Sequence, residues 1–213
     1  MLRTSTSPRI VGIAGPSACG KTTFARALQQ ALGAAHCIII SHDDYYRDLS
    51  HLSLGERAEQ NFDDPSALET ELLAEHLARL RGGQAITKPL YDFSRHNRWE
   101  RWVEVAPAPV VVVEGILVLA EAAIRASLDI PVYIDTPPDI CLARRVLRDV
   151  QERGRTVVFV IDQYLRTVRP MQEKWVWPSM QHADIVVTPT DFEAGVAEVA
   201  RRLAPIVAHG GTP

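Results

Sequence analysis

Short apolar runs alternate with longer amphipathic stretches along the chain, and this rhythm predicts alternating strands and helices. The apolar runs, rich in valine and isoleucine as buried strands are, lie at residues 9–15, 36–41, 109–117, 129–136 and 183–189. The amphipathic stretches, with apolar residues at helical spacing, lie at residues 22–33, 65–83, 138–149, 157–172 and 192–207. Strands that alternate with helices form a mainly parallel sheet with both faces covered. We therefore predict a three-layer α/β fold with a mainly parallel five-stranded sheet.

Residues 84–106 interrupt this rhythm. The segment is rich in aromatic residues and alternates partly between polar and apolar positions, a pattern typical of strands rather than of a helix. We interpret it as a β-hairpin inserted into the α/β domain. Residues 1–213 are expected to form one domain, with frayed ends at residues 1–8 and 208–213.

Composition and charge narrow the function classes. The 213 residues are 46% hydrophobic, enough for a substantial core, and the net charge of -3 gives no general electrostatic reason to bind nucleic acid or an anionic membrane. The first residues lack the apolar segment of a secretory signal, and the longest apolar run, interrupted by Glu114, is too short to span a bilayer. Cys19, Cys37 and Cys141 lack metal-type spacing. We therefore expect reduced thiols and a cytoplasmic protein.

The most specific motif joins the first strand to the first helix. Residues 15–22 fit the phosphate-loop pattern GxxxxGK[ST] in its strand–loop–helix context. Lys21 would reach the outer phosphates of a nucleotide, and the Thr22 hydroxyl would contact magnesium. The residues expected to surround the phosphates are Gly15, Pro16, Ser17, Ala18, Cys19, Gly20, Lys21, Thr22 and Thr23.

Cys19 lies inside this loop, beside Lys21 and at a helix N-terminus. Backbone N–H groups and a nearby cation favour the thiolate, so we expect the pKa of Cys19 to fall below the free value of about 8.5. On this hypothesis an alkylating reagent inactivates the protein, and MgATP protects it. The alternative is a buried, inert thiol.

Acidic residues follow two further strands, where an open α/β sheet places its functional groups. Asp43 and Asp44 come directly after the second strand, and either can act as a base or as a water-mediated metal ligand. Glu114 ends the valine-rich run and could complete a magnesium shell with Thr22. The sequence thus predicts a phosphoryl-transfer site, with Thr22, Asp43 and Glu114 toward the metal.

Seven blocks together resemble the uridine kinase, or uridine-cytidine kinase, family of P-loop kinases. They are the phosphate loop, SHDDYY at 41–46, NFDDPSAL at 61–68, PLYDFSRHNR at 89–98, VVVEGIL at 111–117, DTPPDICLARRVLRDVQERGR at 135–155 and QYLRTVRPM at 163–171. The resemblance covers the chain from Ile10 to about Val187. It implies a P-loop NTPase/kinase-like fold with a nucleoside-binding hairpin and a lid at about residues 144–158.

The resemblance also implies roles for individual residues. Asp43 would be the catalytic carboxylate beside the nucleoside 5′-hydroxyl, and Asp63 with Arg145 would hold the ribose hydroxyls. The base pocket would be formed by Tyr46, Phe62, Tyr91, Phe93, His96 and Gln163. The lid arginines over the triphosphate would be Arg148, Arg153 and Arg155, which fall on either side of Gly154.

The family pattern implies further expectations about ligands and assembly. The acceptors would be uridine and cytidine, converted to UMP and CMP in pyrimidine salvage. Mg²⁺ would be the metal, with ATP as phosphate donor and GTP as an alternative donor. UTP and CTP would act as feedback inhibitors, and the chain would assemble as a homotetramer.

Two other function classes stay open. One is a kinase of the same broad fold that acts on another small alcohol, either phosphoribulokinase-like or pantothenate kinase-like. The aromatic hairpin argues against it, because a sugar phosphate would require basic residues rather than a stacking platform. The other is a noncatalytic nucleotide-binding switch, which leaves Asp63 and the hairpin unexplained.

Overall fold

The computed structural model describes residues 7–210, with side chains described as far as residue 208. Its strands are β1 (Arg9–Ala14), β2 (Cys37–Ser41), β3 (Ile86–Lys88), β4 (Tyr91–Asp92), β5 (Asn97–Arg98), β6 (Val103–Val105), β7 (Val110–Glu114), β8 (Ile130–Ile134) and β9 (Ile185–Val187). Its α-helices are α1 (Lys21–Leu32), α2 (Leu54–Ala58), α3 (Thr70–Arg81), α4 (Ala122–Arg125), α5 (Pro138–Arg153), α6 (Val157–Gln163), α7 (Arg169–Met171) and α8 (Phe192–Gly210). Short 3-10 helices span His42–Tyr45, Pro65–Ala67 and Pro178–His182.

A five-stranded parallel sheet forms the centre of the molecule, with the strand order β2-β7-β1-β8-β9. Successive side chains of a strand point to opposite faces of the sheet, so the side chains of β1 pack into two different hydrophobic cores. Ile10 and Ala14 pack on the face covered by α3 and α4, whereas Val11 and Ile13 pack on the face covered by α1 and α8. The predicted fold class is therefore confirmed.

Parallel pairing brings the carboxyl ends of the strands to one edge of the sheet. Ser41 at the end of β2 is level with Glu114 at the end of β7, and Glu114 is level with Ile13 of β1. The segments that leave these strands therefore meet at this edge, including the phosphate loop after β1 and Asp43 after β2.

Residues 84–106 fold as two antiparallel pairs, β3 with β6 and β4 with β5. Both pairs are tied to the segment after β2, because Lys88 of β3 forms an ion pair with Asp44 and the N–H of Tyr91 in β4 donates to Asp44 Oδ1 at 3.3 Å. Arg98 adds hydrogen bonds to the carbonyl oxygen of Tyr45 at 3.1 Å and to Glu69 at 3.0 Å. The hairpin is thus fixed against the sheet edge.

Three helix boundaries differ from the sequence prediction. The helix expected to begin at Pro65 begins at Thr70, because Leu68 is extended and forms a bridge with Tyr46. Helix α5 extends four residues beyond the predicted end, to Arg153, where Gly154 in the left-handed region caps it. The helix that begins at Val157 passes through π-helical turns at Tyr164–Val168 and Gln172–Val176, so it ends later than expected.

The predicted frayed ends overlap the described residues only in part. Helix α8 continues to Gly210, so the C-terminal end expected at residues 208–213 begins inside this helix. Residues 1–6 and 211–213 lie outside the described part of the chain. Within residues 7–210, none of the helices combines the length and the apolar character that a membrane crossing requires.

Helix α8 approaches β9 closely at Gly195, where a Cβ atom would lie 2.6 Å from Cγ2 of Val187. We expect Gly195→Ala to lower the free energy of unfolding by about 1–3 kcal/mol, since the branched valine cannot move aside in a packed core. Urea denaturation followed by tryptophan fluorescence measures this.

The matched control is Gly55→Ala in helix α2, where an added Cβ meets no atom within 4 Å. Alanine has the higher helix propensity, so this variant should gain up to about 1 kcal/mol. Equal stability of Gly195→Ala and the unaltered chain would contradict the close packing of α8 on β9.

Candidate active site

The phosphate loop between β1 and α1 is held in left-handed backbone conformations. Gly15 has φ 144°, Ala18 φ 64° and Gly20 φ 112°, and a Cβ on Gly15 would lie 2.5 Å from the carbonyl oxygen of Ile134. Helix α1 has neither a side-chain cap nor an acidic residue in its first turn. Its first N–H groups therefore remain to bind an anion.

Lys21 lies in the loop with 8% of its surface exposed. Its Nζ donates to the carbonyl oxygens of Gly15 at 3.1 Å and Pro16 at 2.9 Å. The ammonium group is therefore held at the mouth of the loop, where the N–H groups and the helix N-terminus already favour negative charge.

A cavity of about 550 Å³ lies over the phosphate loop. Its walls come from the carboxyl edge of the sheet, from the loop and from helix α5, so it combines N–H groups, two carboxylates and two guanidinium groups. The lining residues are Ser17, Ala18, Cys19, Gly20, Lys21, Thr22, Thr23, Asp43, Glu114, Ile116, Ile134, Thr136, Arg144, Arg148, Thr188, Pro189 and Phe192.

Glu114 is buried at the floor of this cavity, 7% exposed. Thr22 Oγ1 donates a hydrogen bond to its Oε1 at 3.4 Å. Burial raises the pKa of Glu114, and the Lys21 charge opposes this effect. Thr22 and Glu114 are therefore adjacent, as the sequence predicted for a magnesium shell.

The two adjacent aspartates have different surroundings. Asp43 borders the large cavity, and burial raises its pKa against the opposing charges of Lys21, Arg153 and Arg148. Asp44 is instead bonded to Lys88 and to the backbone of Tyr91. Of the two carboxylates, Asp43 is the one that faces the phosphate loop.

A second, smaller cavity of about 70 Å³ adjoins the first. It shares Ser17, Asp43, Ile116 and Arg148 with the large cavity, so Asp43 stands at the boundary between them. All eight residues predicted to contact a nucleoside line this cavity: Tyr46, Phe62, Asp63, Tyr91, Phe93, His96, Arg145 and Gln163.

Aromatic rings form one wall of the small cavity. Tyr46 packs edge-on against Phe62 at 5.3 Å between ring centroids, and His96 stacks on Phe62 at 5.4 Å with 23° between the ring planes. Burial, with Arg155 and Arg153 nearby, lowers the pKa of His96. Its imidazole is therefore neutral near pH 7, with one nitrogen to donate and one to accept.

The other part of the lining is mostly polar. Asp63 is 8% exposed, and burial raises its pKa, with Arg145 as the strongest opposing charge. Arg145 donates to Ser17 Oγ and to Gln163 Oε1, both at 2.9 Å, and Arg155 donates to the same Oε1 at 3.2 Å. The side-chain oxygen of Gln163 is thus occupied by two guanidinium groups.

The three arginines predicted over the triphosphate do not all border the phosphate-loop cavity. Arg148 borders both cavities, whereas Arg153 and Arg155 border the small one. The guanidinium of Arg153 lies 4.1 Å from the ring centroid of Phe93, a cation–π contact with the hairpin. Their contact with phosphate stays a prediction.

Sequence reasoning missed seven residues that line the large cavity, namely Ile116, Ile134, Thr136, Arg144, Thr188, Pro189 and Phe192. A signal for most of them existed, since Thr136 follows β8 and Thr188 follows β9 at the same edge that holds Asp43. It also missed Asp149, a fully buried carboxylate in contact with four arginines.

The prediction of a lowered pKa for Cys19 is wrong. The thiol is 2% exposed, and burial raises its pKa more strongly than Lys21 lowers it, although Sγ lies 3.9 Å from Lys21 Nζ. Cys37 and Cys141 are also free and buried.

Comparison with known proteins agrees with this geometry. The sequence model of the "Phosphoribulokinase / Uridine kinase family" matches residues 10–193. The chain is 47% identical over 182 residues to the uridine kinase of Chloroflexus aurantiacus, covering 85% of this chain and 87% of that protein. It is equally similar to the uridine kinase of Escherichia coli K12, with 84% and 85% covered. Phosphoribulokinase from Rhodobacter spheroides shares the fold, with a TM-score of 0.62 at 17% identity over 86% of this chain and 71% of that one.

The buried state of Cys19 gives a direct test of the loop. Because burial raises the pKa of Cys19 and also shields the thiol from the reagent, we expect iodoacetamide at pH 7.5 to alkylate folded Cys19 at least about 10-fold more slowly than Cys19 in denaturant. Mass spectrometry of the Cys19 peptide measures both rates. Alkylation of the folded chain at the unfolded rate would show that the thiol is accessible and ionised.

Proposed function

The chain belongs to the Phosphoribulokinase / Uridine kinase family and is therefore a kinase, and from that premise we propose that it transfers the γ-phosphoryl group of ATP to the 5′-hydroxyl of uridine and cytidine. The observation that carries the proposal is the aromatic cavity that joins the phosphate-loop cavity at Asp43. Phosphoryl transfer depends mainly on positioning and charge neutralisation. Two adjoining cavities with a carboxylate on their boundary meet that requirement.

The small cavity supplies the groups that a pyrimidine nucleoside needs. Phe62 and the other rings offer apolar faces to a flat base, and the neutral His96 can donate or accept at the 4-position of either pyrimidine. Gln163 keeps its amide nitrogen for the base, since its oxygen binds two arginines. Asp63 and Arg145 lie side by side, which suits a pair of ribose hydroxyls.

Magnesium fits the residues at the floor of the large cavity. Mg²⁺ prefers few carboxylates together with phosphate and water, and in the described residues no cluster of three or more Asp, Glu, His or Cys could hold a metal alone. Thr22 and Glu114, with Asp43 close by, would hold the ion. When bound with ATP, Mg²⁺ neutralises charge on the phosphates.

Asp43 would accept the proton of the 5′-hydroxyl. Burial raises its pKa, which brings the carboxylate closer to the pH at which it works as a base. Lys21 and the loop N–H groups would hold the phosphates, and Arg148, which borders both cavities, would reach the group in transfer.

The remaining expectations are part of the same proposal. GTP as an alternative donor, inhibition by UTP and CTP, a homotetramer and a cytoplasmic location all rest on the resemblance to uridine kinases. A place in pyrimidine salvage follows from the products, UMP and CMP.

A coupled ADP-release assay tests the proposal with uridine, cytidine, adenosine, guanosine, ribulose 5-phosphate and pantothenate as acceptors. We expect turnover with both pyrimidine nucleosides and little with the purine nucleosides, because His96 and Gln163 in the small cavity would pair with the polar edge of a single-ring base. Preference for ribulose 5-phosphate or pantothenate would show that the chain is a kinase for another small alcohol. ATP binding without turnover on any acceptor would indicate a nucleotide-binding switch.

Asp43→Asn provides the sharpest mutational test. Removal of the base should lower kcat at least about 100-fold, the low end for general base catalysis, while ATP binding by calorimetry changes little. Asp44→Asn is the neighbouring control: it breaks the pair with Lys88, so it should lower the thermal stability and affect kcat by less than about 10-fold. Near-normal kcat in folded Asp43→Asn would remove Asp43 from the reaction.

A further inference from the structure

Asp149, near the end of helix α5, has no exposed surface. Its Oδ1 accepts from Arg148 Nε and Nη2, both at 2.9 Å, and lies 3.3 Å from Arg153 Nη1. Its Oδ2 lies 3.2 Å from Arg155 Nη1 and 3.8 Å from Arg145 Nε. One buried carboxylate therefore holds four guanidinium groups, which we call the arginine array.

Each member of the arginine array also reaches the candidate active site. Arg148 borders both cavities, and Arg145 donates to Ser17 of the phosphate loop. Arg153 lies over Phe93 of the hairpin, and Arg155 donates to the side-chain oxygen of Gln163 in α6. Asp149 itself lines neither cavity, so any effect of its charge on the reaction passes through the array.

The array carries four positive charges in a space largely closed to water. Burial and then the neighbouring Arg148 lower the pKa of Arg153 to about 10, which reports the crowding of like charges. Burial alone would raise the pKa of Asp149, but Arg153, Arg148 and Arg145 together lower it. Asp149 is therefore ionised at neutral pH, and its negative charge opposes the mutual repulsion of the arginines.

Backbone contacts fix the turn that carries two members of the array. The N–H groups of Gly154 and Arg155 both donate to the backbone carbonyl oxygen of Asp149, the second at 3.1 Å. Gly154 has φ 64°, which closes the end of α5 and turns Arg155 back toward the carboxylate. The side chain and the backbone of Asp149 thus act on the same turn.

We propose that Asp149 is a positioning residue for phosphoryl transfer, whose carboxylate holds Arg145, Arg148, Arg153 and Arg155 as one array at the boundary of the two cavities. The inference rests on the proposed kinase function for its effect on rate. The arrangement of the array does not depend on which acceptor is used. Without the carboxylate, the four cations separate, and the guanidinium groups lose the geometry that neutralises the transferred group.

Limited trypsin digestion tests the arrangement without any substrate, because trypsin cleaves after arginine. In Asp149→Asn we expect cleavage after Arg153 and Arg155 to accelerate at least about 10-fold, as local opening becomes easier, while cleavage elsewhere keeps its rate. Glu152→Gln is the matched control, since Glu152 lies on the same helix and is exposed. Unchanged cleavage at these two bonds, or equal acceleration along the whole chain, would overturn the proposal.

A double-mutant cycle on kcat with uridine and ATP tests whether Asp149 acts on the reaction through Arg148. We expect Asp149→Asn to lower kcat at least about 10-fold and Glu152→Gln to leave it within about twofold. Because Asp149 acts through the array, the two losses should overlap. The kcat of Arg148→Gln/Asp149→Asn should therefore be at least about fivefold higher than the value expected if the two single fold-losses multiplied. Multiplicative effects would show that Asp149 acts independently of Arg148 and would refute a positioning role.

Two safeguards keep the result interpretable. If Asp149→Asn is not recovered folded, Arg148→Gln/Asp149→Asn replaces it, because the double variant keeps the net charge of the cluster. Its trypsin pattern is then compared with that of Arg148→Gln. Equal cleavage of the two variants after Arg153 and Arg155 would refute the proposal. If the unaltered chain does not phosphorylate uridine, the proposed function falls, and the trypsin comparison still decides whether Asp149 holds the array.

Discussion

Charge buried at the carboxyl edge of the sheet must be compensated inside the chain, because little water reaches it. Asp63 and Glu114 are almost fully buried there, and burial raises the pKa of both and of Asp43. Lys21 opposes all three shifts. The loop, the hairpin and helix α5 are therefore held in mutual position by a balance of charges as well as by apolar packing, and the two cavities lie within that balance.

Much of the fold follows from local patterns. The valine run of β7 is buried on both faces, as a central parallel strand must be, and the phosphate-loop motif has the strand and helix that it needs. The start of α3 could not be predicted in this way. Pro65 and Ser66 resemble a helix start, but the chain stays extended at Leu68 because that residue pairs with Tyr46, which is distant in sequence. Long-range pairing overrides the local signal.

In the candidate site too, some features follow from the local sequence and others only from the fold. Residues named by motif, such as Thr22, Asp43 and Glu114, meet at the sheet edge because the topology brings strand ends together. Properties that depend on burial were not accessible from the sequence. Cys19 has the neighbours that favour a thiolate, yet desolvation outweighs them. Asp149 occurs in a run of charged residues that suggests a solvated helix face, and only the fold shows that it has no exposure.

The ion pair between Asp44 and Lys88 links residues that are far apart in the sequence and have little contact with water. Loss of one partner leaves an uncompensated charge inside the protein, whereas replacement of both by apolar groups can be nearly neutral. A relative that changes position 44 alone would therefore pass through a less stable intermediate. Positions 44 and 88 would therefore have to change together, and a hairpin exchanged between relatives would have to bring its own partner residue at position 44.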